Sequence, residues 1–192
     1  MTMKELIVVG GPNGAGKTTF ADEYTSFHGI RYLGADAIAA QMSPHDPAQV
    51  RIAAGRAFLQ RIDAAVRNSD SFVVESTLSG RTMQQLLKHA KTAGFEITLV
   101  YLFLDSADTC LARVSERVEK GGHDVPESDI RRRFGRSIRN FWNLYRPLAD
   151  HWLLIYNSGN QPQDVAVGSA TDISIRDAEL FSQFQLLVNA DD

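Results

Sequence analysis

Hydrophobic positions along this chain fall into two patterns. Short continuous runs occur at LIVVGG (6–11), SFVVE (71–75), FEITLVYLFLD (95–105) and HWLLIYNS (151–158), with a shorter one at IRYLGAD (30–36). A strand covered on both faces needs such near-continuous apolar character. Between the runs, apolar residues recur every three or four positions, the spacing of one helix face. This predicts helices over 16–27, 48–69, 81–94 and 107–120, and one capped by Ser128 that reaches about 145. Gly94 and the pair Gly121-Gly122 sit where helices should stop. Beyond residue 158 come two polar-alternating pieces, VAVGS and DISIR, and a terminal helix over 177–189. Strand and helix alternate, so the expected class is α/β, with about five parallel strands between two helix layers. Ligands in such sheets lie beyond the carboxyl ends of the strands.

The first run leads directly into GGPNGAGKTTF (10–20). Its spacing, Gly11-x4-Gly16-Lys17-Thr18, is that of a phosphate-binding loop, placed as required between a strand and a helix. Backbone N–H groups of such a loop turn toward phosphate oxygens. The expected fold is therefore a three-layer P-loop NTPase. The expected ligand is ATP, held by Gly11, Pro12, Asn13, Gly14, Ala15, Gly16, Lys17, Thr18 and Thr19. Lys17 reaches the outer phosphates and the Thr18 hydroxyl ligates Mg²⁺. Thr19 also reads simply as helix.

Three carboxylates end later strands. Asp36, in LGAD, is placed to accept a hydroxyl proton from an acceptor, or to cap the short helix that follows. Glu75 and Thr77, in FVVEST, suit acceptor hydroxyls, and Glu75 could instead orient Mg²⁺ through water; capping is again the plain alternative. Asp105, in YLFLDS, could orient Mg²⁺ through water or cap the next helix. Arg113 and Arg117, four apart, share a helix face. Between Ile130 and Ala149 there are six arginines and no acid. A glycine turn followed by arginines reads as a lid over about 118–136 that neutralises charge on a transferring phosphate. A solvated helix face and a nucleic-acid patch are the alternatives. His123, alone after the glycines, reads as structural or solvated. Trp142, Tyr145, Trp152 and Tyr156 read as core and interface aromatics.

GPNGAGKTT followed by LSGRT also resembles a transporter ATPase, but Gly80 precedes Arg81 where a second glycine is needed for close backbone approach. Ser106 stands after Asp105 where a water-polarising glutamate belongs. No Asn-Lys-x-Asp is present, which removes the GTPase reading. A small-molecule kinase remains, since phosphoryl transfer needs positioning and charge neutralisation above all.

Bulk properties narrow the class further. The chain has 192 residues, a net charge of -3 and one cysteine. That size fits one domain, expected as a core over 1–158 with an extension, 159–192, packed on it. The acidic balance argues against a nucleic-acid partner. Cys110 has no disulfide partner and reads as a buried core residue. No apolar run reaches the roughly 20 residues of a membrane span, and no signal peptide is evident, so a cytoplasmic location is expected.

These motifs together resemble the zeta-toxin family of P-loop kinases. The resemblance runs through GGPNGAGKTTF, LGAD, FVVESTL, YLFLDS, RVSERVEKGGHDVP, IRRRF and PLADHW, over roughly residues 6–158. The family's toxins phosphorylate the 3′-hydroxyl of UDP-N-acetylglucosamine. The resemblance implies a catalytic set of Lys17 on phosphate, Asp36 as base, and Arg117 with one of Arg131, Arg132 and Arg133 at the transition state; Arg132 is the one expected. It implies that Glu75 and Thr77 contact the acceptor. Arg81 is the further acceptor contact expected, although Ser79 and Gly80 separate it from the E-x-T-L unit. An antitoxin protein is the implied partner. Two other classes stay open: a nucleotide-binding switch without acceptor transfer, and a nucleoside or polynucleotide kinase.

Overall fold

The computed structural model describes residues 4–122 and 124–190; His123 lies outside them. β1 (Glu5–Gly10) is central, and pairs in parallel with β3 (Phe72–Ser76) on one side and β4 (Glu96–Phe103) on the other. β2 (Arg31–Leu33) joins β3, and β5 (His151–Tyr156) joins β4, both in parallel. The sheet is larger than the sequence suggested. The two polar-alternating pieces form β6 (Gln163–Ser169) and β7 (Ile173–Ile175), which extend it antiparallel from β5. Among the described residues the order is thus β2-β3-β1-β4-β5-β6-β7, a mixed sheet of seven strands. All five parallel strands end at one edge, so every loop that follows them opens there.

Alternation along β1 divides the core. Leu6 and Val8 face a layer built from α3 (Arg51–Asn68), α4 (Thr82–Thr92), the second half of α6 (Glu127–Asn140) and α7 (Ala178–Asn189). Ile7 and Val9 face α1 (Lys17–His28), α5 (Ala107–Glu119) and the first half of α6. Phe184 of α7 is fully buried against Tyr101, Phe103 and Phe141, so the terminal helix completes one hydrophobic layer. α2 (Ala35–Met42) packs on α3 through Ile38, Ala39 and Ala54.

Two local details differ from expectation. α6 starts at Glu127, with Pro126 before it and no side-chain cap, so Ser128 lies inside the first turn. Its end passes into a π-helical turn, Phe141–Tyr145, and then a 3₁₀ turn, Arg146–Leu148. The wider turn sends Tyr145 under the loop after β3, where its hydroxyl donates to Gly80 O at 2.5 Å. Ser137 and Asn140 of α6 donate to Thr77 O and Leu78 O. These bonds hold Leu78, buried with φ of 54°, in a left-handed conformation that a bulky side chain rarely adopts.

Cys110 sits in the core between α5 and the phosphate loop, and burial pushes its thiol up to about 12. The thiolate is the reactive form, so the native protein at pH 8 should resist thiol reagents. Ellman's reagent should label Cys110 at least about 100-fold more slowly in buffer than in guanidinium. Equal rates would place the thiol at the surface.

Candidate active site

The phosphate loop turns sharply at Gly11, with φ of 148°. A Cβ at Gly11 would collide with the carbonyl oxygen of Leu102 on β4, so only glycine permits the approach. Gly16 closes the loop with φ of 87°, and a Cβ there would lie 2.7 Å from the Asn157 amide nitrogen. Asn157, just after β5, donates to Ala15 O at 2.9 Å and so ties the loop to the neighbouring strand. Lys17 Nζ folds back to Pro12 O at 2.8 Å. Burial holds the Lys17 ammonium below its ordinary pKa, and the Glu75 charge opposes that shift.

Beside the loop lies a cleft of about 420 Å³. Asn13, Gly14, Lys17 and Thr18 form its floor, Asp36, Glu75 and Thr77 one wall, and Arg117, Asp129 and Arg133 the other. The Thr18 hydroxyl donates to Glu75 Oε2 at 2.9 Å. β1 and β3 pair with Val9 opposite Glu75, and this register sets the carboxylate next to the loop's threonine. Tyr32, on β2, was not singled out from sequence. Burial, then the Glu75 charge and a hydrogen bond to it, push its phenol above the ordinary range and keep it a donor. Asn157 was also missed; its place just past a strand at the ligand edge was the available signal.

The capping alternatives are now decided. Gly34 begins α2, and Asp36 sits in its first turn with the cleft beside it. Glu75 caps nothing, because α4 starts after Arg81 without a side-chain cap. Asp105 is different. Its Oδ1 accepts the Thr109 hydroxyl at 2.6 Å while Ser106 caps α5, and Asp105 does not line the cleft. The carboxylate that meets Thr18 is Glu75.

The arginines also divide. Arg133, 29% exposed along its side chain, lines the cleft with its guanidinium on Asp129 at 2.9 Å. Arg132 points elsewhere. It pairs with Asp129 at 2.6 Å and lines a separate groove between α6 and α7 together with Arg131, Arg136 and Arg139. Arg131 is held by Asp108 and Glu127, both at 2.8 Å. The stretch that looked wholly basic is thus met by acids from just before it and from α5. Arg81 is exposed and lines neither this cleft nor the cavity next to it.

On the far side of the loop is an open trough of about 720 Å³. Gly16, Thr19, Arg113, Asn157 and Gly159 line it, and Arg117 lines both trough and cleft. The loop therefore separates two spaces, with Arg117 reaching each. A triphosphate fits this arrangement. The loop offers turned backbone and a desolvated lysine. Magnesium fits Thr18 and Glu75, because it takes few protein oxygens and leaves the rest to phosphate and water.

Residues 6–135 match the family model described as an AAA domain. The chain belongs to that P-loop family. It is also 35% identical over 124 residues to an uncharacterized protein of Haemophilus influenzae, an overlap of 65% of this chain and 88% of that one. Its fold is that of P-loop kinases. The AvrRxo1-ORF1:AvrRxo1-ORF2 complex with sulphate ions superposes with a TM-score of 0.76 at 18% identity, over 99% of this chain and 66% of that one. The same complex solved with ATP gives 0.72. The PezAT chromosomal toxin–antitoxin system of Streptococcus pneumoniae gives 0.71 at 16% identity, over all of this chain and 81% of that one. This chain thus spans about two thirds of the AvrRxo1 chain. Among the described residues of this AAA-domain protein, no helix is long and apolar enough to cross a membrane.

Asn157→Ala should strand the Ala15 carbonyl and loosen the loop, at a cost of about 1–3 kcal/mol. Isothermal titration with ATP and Mg²⁺ should show roughly fivefold or greater loss of affinity. Glu75→Gln should raise the Mg²⁺ concentration needed for half-maximal ATP binding, while Asp105→Asn should leave it unchanged.

Proposed function

We propose that this protein is a Mg²⁺-dependent ATP phosphotransferase of zeta-toxin type, acting on the hydroxyl of a small molecule. The observation that supports it most is the single cleft in which Asp36 faces Lys17 and the Thr18–Glu75 pair. The adenosine of ATP takes the trough beside Arg113, Asn157 and Gly159, and its phosphates cross the loop into the cleft. Thr18 and Glu75 would hold Mg²⁺, which would supply positive charge for the outer phosphates. Asp36 accepts the proton as the acceptor oxygen attacks the γ-phosphorus; the bond to the β-γ bridging oxygen breaks, and ADP leaves. Lys17, Arg117 and Arg133 meet the charge spread over the transferring group. Arg133 takes the place the resemblance gave to Arg132, because Arg133 is the triplet member that lines the cleft.

The first acceptor to test is a UDP-sugar such as UDP-N-acetylglucosamine, which the resemblance suggests, with Thr77 as a contact. The segment over about 118–136, which carries Arg133 and follows Arg117, acts as the lid. Residues 159–192 are read as an extension on a core of 1–158. An antitoxin is the protein partner that the resemblance suggests, and the cytoplasm the location. A nucleic-acid acceptor is disfavoured, because Arg131 and Arg132 are already paired with acids.

Asp36→Asn should lower kcat by about 10²–10⁴-fold, with ATP affinity kept within about twofold. ADP release in a coupled assay checks this, and a normal rate would remove Asp36 as the base. Arg133→Ala should lower kcat by roughly 10²-fold, while Arg132→Ala stays within about threefold. The reverse order would restore the first assignment.

A further inference from the structure

A second chamber of about 510 Å³ opens from the cleft between α3 and α4, sharing Ala35, Glu75 and Ser76 with it. Its walls are apolar: Phe58, Leu59 and Ile62 from α3, Met83 and Leu86 from α4. Tyr145 adds a ring whose hydroxyl is already spent on Gly80 O. Arg56 is the one cation among the described lining residues, and it is exposed. Ile52 and Leu59 stand 75% and 49% exposed at this chamber, apolar surface that an occupant would cover.

Gly55 adds to the open space of the chamber. It sits inside α3, where glycine costs about 0.5–1 kcal/mol relative to alanine. It lines the chamber, and a Cβ there would meet no atom within 4 Å. A Cβ would fit there, so the glycine leaves that part of the chamber wall open.

We propose that the acceptor is an alcohol with an apolar, ring-sized body, seated between α3 and α4 with its hydroxyl at Asp36 and Glu75. This rests on the kinase reading above and narrows its acceptor. A nucleoside diphosphate suits the chamber poorly. Its two phosphate charges would meet one exposed arginine, since Lys17, Arg117 and Arg133 line the cleft where the donor's phosphates go. An aromatic or alicyclic ring would instead remove the open isoleucine, leucine and phenylalanine surface from water.

The test uses the full chain with ATP and Mg²⁺ and two acceptor sets. One set is p-nitrophenyl β-D-glucoside and 3-phenyl-1,2-propanediol; the other is UDP-N-acetylglucosamine, UDP-glucose and free glucose. The aryl compounds should give ADP release with KM at least about tenfold below that of free glucose. Gly55→Leu should raise KM for the aryl compounds roughly tenfold or more, with the KM for ATP as internal control and thermal melting as the check on folding. Turnover of UDP-sugars without aryl alcohols overturns the proposal and leaves the kinase reading standing. If no acceptor releases ADP and Asp36→Asn changes nothing, the kinase reading falls. Saturation-transfer NMR with p-nitrophenyl β-D-glucoside then decides the chamber alone. Binding to the wild type but not to Gly55→Leu supports it, and equal or absent binding to both overturns it.

Discussion

The cleft depends on how closely the chain passes over β4 at Gly11. Any Cβ there would strike the Leu102 carbonyl, so the loop can lie on the sheet edge only as glycine. From that contact the rest follows in order. The loop turns its backbone outward, α1 starts at Lys17, and Thr18 lands within hydrogen-bond reach of Glu75 on the adjacent strand. Asn157 fixes the opposite flank through Ala15. Three neighbouring strand ends therefore act on one loop. Its shape is set before any ligand arrives, which is the preorganisation that electrostatic catalysis requires.

The second fixed element is the loop after β3. Leu78 is held there in a conformation costing about 1–3 kcal/mol for such a residue. Three hydrogen bonds to its backbone neighbourhood come from Ser137, Asn140 and Tyr145, all on α6 or the turn that ends it. The helix that carries Arg133 thus also clamps the loop that carries Thr77. Arg133 and Thr77, both lining the cleft, are linked through one helix. Tyr145 reaches Gly80 O from the end of the π turn that follows this helix.

Much of this was legible in the sequence, for reasons that also mark the limit. Strands buried on both faces write themselves as continuous apolar runs, and the phosphate loop has a backbone requirement that only certain glycine positions meet. β6 and β7 were harder because they lie toward an open sheet edge, where polar residues are tolerated and the pattern fades. Arg132 and Arg133 differ by about 100° around a helix, so the choice needed the helix phase, which tertiary packing sets. The basic stretch misled because its neutralising acids lie at Glu127 and Asp129, just outside it, and at Asp108 on another helix. Tyr32 and Asn157 belong to no motif. They matter because strand pairing brings them to Glu75 and Ala15.

Charge at the loop is balanced before nucleotide binds, but incompletely. Burial disfavours the Lys17 ammonium more than the nearby Glu75 carboxylate restores it, and Arg117 adds repulsion. A polyanion entering the cleft relieves that imbalance, since its charge compensates both cations at once. Glu75 then has a different duty. With Mg²⁺ beside Thr18, its carboxylate would leave the hydroxyl for the metal's water shell, and Tyr32 remains as its donor. The same carboxylate stabilises the lysine in the free protein and would meet the metal in the loaded one. Lys17 is thus partly compensated without nucleotide and still favours the arrival of a polyanion.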